Sequence, residues 1–300
     1  MPRIASFAQH SLIQQTIVRT QERVYDRQAQ ISSGKQSQSF AGISKDSAQL
    51  VSVKSASLRA ETYINQNNQM ESRLQIADGV LSSLTDIAST LKTRLVQRLN
   101  DATGTAGVLD QDALNMLNSA VGLLNTQVAG RFLFGGSRTD LAPVAEPVPD
   151  PAVFGVPDDN YYQGDSVELT ARVSETQEVQ VGFAGNRQGF QELIGALKAA
   201  IEGHVTDDKS MLESALDLAT SAIDNINAYR AEGGFASNAI ARATATHNDF
   251  LLYADRVVSE LENVDIPSAM SALAADEVAL QASFSIVGRM SSISLADYLP

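Results

Sequence analysis

The chain has no cysteine and no tryptophan among its 300 residues. The missing cysteine excludes disulfides, thiolate nucleophiles and cysteine-ligated zinc sites. Aromatic residues make up only 6% of the sequence, whereas hydrophobic residues make up 44%. The core must therefore be built mostly from aliphatic side chains, and we expect it to be helical.

Positive charge and long apolar runs are also scarce. The formal net charge is −13, which argues against a nucleic-acid partner because little would neutralise the phosphates. No run of 18 or more apolar residues is present, so the sequence predicts no membrane span. The first thirty residues lack the apolar core of a cleaved secretory signal, and we expect any export to follow another route.

Motifs of known chemistry are missing as well. The sequence contains no HExxH, GxSxG, P-loop or GxGxxG motif. Its three histidines, His10, His204 and His247, are scattered along the sequence. We expect His247 to serve helix packing. Three acids, Asp158, Asp159 and Asp165, flank Tyr161 and Tyr162. Their spacing is not that of a calcium-binding loop, and we expect this segment to be a solvated loop. We expect no catalytic residue, cofactor or metal.

Both ends of the chain carry a seven-residue apolar repeat. The C-terminal repeat consists of Ile266, Leu273, Leu280 and Val287, with Met270 and Phe284 four residues after the first and third. The N-terminal repeat consists of Ile17, Val24 and Ile31, preceded by Ile13, with companion positions at Gln14, Gln21 and Gln28. This spacing is typical of helices that pack along one another.

The charges of the two ends favour pairing them with each other. The first sixty residues hold eight Lys or Arg against three acids, whereas residues 261–300 hold one Arg against five acids. Exposed ion pairs are individually weak, so the alternative is a pair of solvated, unpaired tails.

The intervening sequence predicts further helices around a small β element. The predicted helices are 44–100, 111–130, 187–202, 209–230 and 237–263. The first would be about 80 Å long at 1.5 Å per residue. The last two are separated by a predicted break at AEGGF. Five of the eight prolines lie between Pro143 and Pro157, where no helix is expected. Alternating runs at 166–174 and 178–183 predict a β-hairpin.

The order of these parts predicts the fold class. We expect a mainly α protein, a long antiparallel helical rod with paired terminal coiled-coil helices and a small β-rich insert at the far end. The predicted domains are residues 1–42 with 261–300, residues 43–139 with 186–260, and the insert at 140–185.

Several local sequences resemble those of the bacterial flagellins and their hook-associated relatives. QAQISSGKQ at 28–36 is similar to the family's LSSG-type motif, and ISKDSAQL at 43–50 is similar to the stretch that opens its long helix, with one acid where relatives often have two. The C-terminal helix closes on Leu-x-x-Tyr-Leu as the hook–filament junction subfamily does, although Pro300 is extra. RFLFGGSRTD at 131–140 and YYQGDS at 161–166 also resemble that subfamily.

The resemblance implies a structural subunit that joins hook to filament by helical self-assembly and is needed for motility. Its terminal helices would stay disordered in the monomer and fold on assembly. It implies an extracellular flagellar location after export without a cleaved signal peptide. The implied partners are other copies of the chain, hook-associated protein 1, flagellin and a flagellar export chaperone, with no nucleic acid and no membrane.

The resemblance also implies which residues matter. The assembly seam would comprise the terminal apolar residues Ile13, Ile17, Val24, Ile31, Ile266, Met270, Leu273, Leu280, Phe284, Val287, Leu295 and Leu299. Two other functions remain open at this point: a short filament flagellin, and a secreted rod-like binding or adhesion module.

Overall fold

The computed structural model describes residues 2–37, 47–101, 109–151 and 153–296, with the backbone alone described for 2–10 and 290–296. The described residues form six helices: α1 (Pro2–Ser33), α2 (Ser47–Asn100), α3 (Leu109–Leu124), α4 (Gln188–Val205), α5 (Lys209–Glu262) and α6 (Ile266–Ala296). They also form four short strands: β1 (Gln127–Val128), β2 (Arg131–Phe132), β3 (Thr170–Arg172) and β4 (Glu178–Gln180). The predicted mainly α class is confirmed.

The chain divides into two compact units. Unit 1 comprises residues 1–60 and 249–300, and unit 2 comprises residues 61–248. The boundaries between the units therefore fall inside α2 and α5. The sequence predicted three domains, defined by the position that each would occupy in an assembly. That division stays a prediction.

Unit 2 has a continuous aliphatic core. Its part of α2 contributes the stripe expected from the sequence, every member of which is buried: Ala77, Leu81, Leu84, Ala88, Leu91 and Leu95. The inward face predicted for α4 is confirmed, and Phe190, Leu193, Ile194 and Leu197 are all fully buried. Within this unit α2 and α5 run antiparallel, as the Arg230–Asp78 ion pair at 2.8 Å and the bond from the Ser237 hydroxyl to Glu71 show.

The helix expected to run to residue 130 ends earlier. Helix α3 stops at Leu124, and β1 pairs antiparallel with β2 across a two-residue turn. Ala129 and Gly130 both have positive φ, 52° and 75°, which is the geometry of a type I′ turn. The prediction for residues 125–130 was therefore wrong, because a tight hairpin competes there with the helical pattern.

The predicted β-hairpin is present, although its strands are short. β3 pairs antiparallel with β4, and the Val173 N–H donates to the Gln177 carbonyl at 3.0 Å to close the turn. The Val173 carbonyl accepts hydrogen bonds from Asn67 of α2 and from His247 of α5. The His247 ring also stacks on Tyr63 at 5.2 Å. This confirms the packing role expected of His247 and ties the hairpin turn to both long helices.

The tyrosine-rich loop before the hairpin is more buried than the sequence predicted. Asp158 is 3% exposed, and its carboxylate pairs with Lys198 of α4 at 2.7 Å. Tyr161 is fully buried, and its hydroxyl donates to the Gly185 carbonyl. The expectation of a solvated loop was wrong for these two residues, because a lysine within the apolar face of α4 supplies the countercharge that lets Asp158 be buried.

Helix α5 is continuous where the sequence predicted a break. It runs from Lys209 to Glu262 through Gly233 and Gly234. Each glycine inside a helix costs about 1 kcal/mol relative to alanine. Buried residues on both sides, Tyr229 and Ala236, hold the two halves to the core of unit 2 and offset that cost. Tertiary packing thus overrides the local helix-breaking signal.

This continuity predicts the effect of a single substitution. Gly234 has helical backbone geometry, and a Cβ added there meets nothing within 4 Å. We expect Gly234→Ala to raise the free energy of unfolding by about 0.5–1 kcal/mol, measured by denaturant titration. Gly79→Ala in α2 is the matched control, because that site is also helical and open. A loss of stability from Gly234→Ala beside a gain from Gly79→Ala would show that α5 bends or breaks at Gly234.

Candidate assembly surface

The two terminal helices pair with each other in unit 1. Arg23 of α1 donates to Asp276 of α6 at 2.9 Å. At the other end of the pair, the Gln36 N–H donates to the Glu262 carbonyl at 2.8 Å, and the Val264 N–H donates to the Gly34 carbonyl at 2.9 Å. Because the end of α1 lies beside the start of α6, the helices run antiparallel. Pairing of the oppositely charged ends is thus confirmed.

The α1 side of the pair contains the four apolar residues expected from the sequence. Ile13, Ile17, Val24 and Ile31 are all half-buried. The companion positions, however, are Thr20 and Arg27, so the buried positions follow one another at alternating intervals of four and three: 13, 17, 20, 24, 27 and 31.

The glutamines expected in the companion positions lie elsewhere on α1. Gln14 and Gln28 are exposed, and Gln21 is half-buried. Thr20 is 2% exposed, and its hydroxyl donates to the Thr16 carbonyl of its own helix. Since that bond satisfies the hydroxyl, threonine can be buried in the seam at little cost.

The α6 side of the pair contains three of the predicted seam residues. Leu273, Leu280 and Val287 are half-buried. On the side of α6 that faces α1, Ala269 is the first buried residue and is 3% exposed. Asp276 lies on the same side and pairs with Arg23. The seam therefore contains Ala269 and the Arg23–Asp276 ion pair in addition to the residues of the apolar repeat.

Three predicted seam residues of α6 are exposed in the single chain. Ile266, Met270 and Phe284 are 45%, 57% and 50% exposed. We call these three residues the exposed stripe. The side of α6 that faces α1 is centred instead on Ala269, Asp276 and Ser283, and the place of the three residues in an assembly seam stays a prediction. The last two predicted seam residues, Leu295 and Leu299, lie outside the described side chains.

A charged cluster closes the end of the helix pair. Glu262 accepts hydrogen bonds from Lys35 at 2.6 Å and from Lys54 at 2.7 Å. The bonds from Lys35 and Lys54 hold the pKa of the Glu262 carboxyl below its ordinary value. This carboxylate therefore joins three segments of unit 1: the end of α1, the start of α2 and the end of α5. The cluster was not predicted, because Glu262 lies more than 200 residues from both lysines along the chain and only the overall charge of the two ends gave a signal.

Comparison with known proteins agrees with this arrangement. Residues 4–139 match the family described as the bacterial flagellin N-terminal helical region. This part of the chain is therefore similar to the N-terminal helical region of bacterial flagellins. The chain is 24% identical over 286 residues to flagellar hook-associated protein 3 of Salmonella typhimurium, an alignment that covers 83% of this chain and 84% of the relative. The resemblance found in the sequence is thereby confirmed.

Solved structures support the fold independently. The Bacillus cereus FlgL structure has a TM-score of 0.55 and 18% identity, and the match covers 70% of this chain and 99% of that one. The flagellar junction protein FlgL from Legionella pneumophila has a TM-score of 0.52 and 14% identity, with 70% of this chain and 98% of that one covered. At these identities the matches establish a shared fold.

The described residues contain neither a metal-binding cluster nor a helix that could span a membrane. The described residues contain no group of three or more His, Asp or Glu placed to hold a metal ion. Among the described helices, none combines the length and the apolar character that a bilayer-spanning segment requires.

The Glu262 cluster predicts a pH dependence. A carboxyl whose pKa is lowered on folding stabilises the fold above its unfolded pKa, and this contribution is lost as the pH falls through the lowered folded value. We therefore expect the protection factors of the Gln36 and Val264 amides, which compare the observed exchange rate with the intrinsic rate at the same pH, to fall as the medium is acidified through that range. In Glu262→Gln this part of the pH dependence should disappear, as measured by hydrogen exchange. An unchanged pH profile in that variant would contradict the role given to Glu262.

The two faces of α6 predict different effects on local stability. Leu280→Ala removes a half-buried side chain from the seam, and we expect it to destabilise the α1–α6 pair by about 1–2 kcal/mol. Phe284→Ala removes an exposed side chain, and we expect a change within about 0.5 kcal/mol. Hydrogen exchange of the α6 amides measures both. Equal effects would show that Phe284 packs within the single chain.

Proposed function

We propose that this chain is a structural subunit of the bacterial flagellum that joins hook to filament by helical self-assembly and is needed for motility. Support comes from its similarity to hook-associated protein 3 over more than four fifths of the chain. The observation that carries the proposal is the exposed stripe on α6, which lies beside the seam that α1 covers. Apolar side chains that α1 leaves exposed along a helix indicate a second partner.

The exposed stripe suggests how copies would join. The stripe packs against a neighbouring copy, while the seam holds α1 and α6 of each copy together. Burial of a side chain as large as Phe284 contributes about 1.5–3 kcal/mol, so repeated contacts of this kind stabilise a polymer. In this proposal residues 1–42 with 261–300 form the inner tube of the assembly, residues 43–139 with 186–260 its outer wall, and the insert at 140–185 its outermost part.

The remaining partners follow from the position at the junction. We include hook-associated protein 1 on the hook side, flagellin on the filament side and a flagellar export chaperone before assembly. The location in this proposal is extracellular, within the flagellum. A structural part in the flagellum requires no catalytic chemistry, and the residues of consequence are the apolar ones of the terminal helices.

One experiment distinguishes the junction role from the two alternatives, a short filament flagellin and a secreted binding or adhesion module. Purified chain is mixed with isolated hooks and, separately, with short filament seeds, and the products are viewed by negative-stain electron microscopy. A short cap on hook ends that then permits flagellin to grow supports the junction role. Long filaments of this chain alone would make it a filament flagellin. Stable monomers that join neither end would favour a secreted binding module.

A pair of substitutions tests the exposed stripe directly. We expect Met270→Ser with Phe284→Ser to abolish capping of hooks while circular dichroism and the thermal melt of the free chain stay unchanged. Val153→Ser with Val156→Ser is the matched control, because both valines are exposed in unit 2, at 60% and 44%. The control variant should cap hooks normally. Capping that survives loss of the stripe would contradict the proposal.

A further inference from the structure

Unit 2 contains a cavity that the assembly function does not use. It has a volume of about 680 Å³ and lies between α3, α4 and the described residues 146–151 and 153–154, which are neither helix nor strand. Its apolar lining comes from all three parts and includes Leu114, Leu117, Val121, Val148, Phe154 and Ile201. This volume lies within the range of pockets that hold small organic ligands, about 300–1,000 Å³.

The outer wall of the cavity is anchored near both ends. Before it, the Asn125 side chain accepts from the Val144 N–H at 3.0 Å and donates to the Val144 carbonyl at 3.2 Å. Further along, the Lys198 ammonium donates to the Pro149 carbonyl and pairs with Asp158. The Lys198 and Asp158 side chains are only 5% and 1% exposed. Because these hydrogen bonds and the buried Lys198–Asp158 ion pair hold the wall, the cavity is formed before any ligand arrives.

The charge of the cavity has one sign. Three carboxylates line it: Glu146, Asp150 and Glu202. The only cation in the lining, Lys198, is already neutralised by Asp158. Within the described part of the chain, Asp150 and Glu202 have no ion-pair partner. The cavity therefore combines an apolar interior with a negative rim whose charge is not compensated.

We propose that this cavity is a binding site for a small amphipathic cation, with an apolar body and one positively charged amine. The apolar body contacts Leu117, Val121 and Phe154, and the ammonium group lies between Asp150 and Glu202. An apolar anion of the same size fits the volume but is repelled by the three carboxylates. The charge requirement thus distinguishes a specific site from a groove that takes any apolar molecule.

Two probes of nearly equal size and opposite charge test the proposal. The full chain is titrated with 3-phenylpropylammonium and with 4-phenylbutanoate, and methyl NMR shifts of Leu117, Val121, Val148 and Ile201 report binding. We expect the ammonium probe to shift these methyl groups with an affinity at least tenfold above that of the carboxylate probe. Equal affinities, no shifts, or shifts confined to other methyl groups would overturn the proposal.

A pair of variants assigns the selectivity to named residues. Asp150→Asn with Glu202→Gln should weaken binding of the ammonium probe at least tenfold and leave the carboxylate probe unaffected or bound more tightly. The matched control is Asp217→Asn with Glu213→Gln, which removes the same charges from exposed positions of α5 outside the cavity. If the control weakens binding as much as the cavity variant, the attraction is a property of net charge and the proposed site is wrong.

Discussion

Helix α6 has more apolar surface than the single chain can cover. Helix α1 packs against one side of α6, where Leu273, Leu280 and Val287 are half-buried. Met270 and Phe284 remain exposed. A helix that is apolar around most of its circumference is stable in water only when it is covered on more than one side. The requirement for a second partner follows from this excess, and it is the physical basis for assigning an assembly role to a chain with no catalytic motif.

Unit 2 meets the opposite condition, because its apolar residues are largely enclosed within one chain. Its core joins parts of α2, α3, α4 and α5, and the hairpin turn is bound to both long helices through the Val173 carbonyl. A closed core of this kind suits a subunit that must stay folded while its terminal helices engage neighbours. The cavity between α3 and α4 is the exception, and its anchored wall and acidic rim set it apart from the packed interior.

The features that the sequence predicted depend on local periodicity. The buried stripe of α2, the inward face of α4 and the apolar positions of α1 all follow from spacing along one helix. The errors arise where a distant residue decides the outcome. Helix α5 continues through Gly233 because packing on both sides holds it, and Asp158 is buried because Lys198, forty residues away, supplies a countercharge. The seven-residue repeat identified the apolar residues of α6, but only the position of α1 separates those that face it from those that do not.

In the proposed assembly the exposed stripe is free in the single chain and covered by a neighbouring copy. Because the chain has no cysteine, a single one placed beside the stripe can be followed by its rate of thiol labelling. Ala274→Cys supplies it, because Ala274 is exposed one turn after Met270 and is not itself a stripe residue. Val287→Cys, in the α1–α6 seam, provides the comparison. We expect fast labelling at 274 and slow labelling at 287 in the free chain, with both slow once hooks are capped. Labelling at 274 that stays fast in the assembled cap would contradict the assembly role of the stripe.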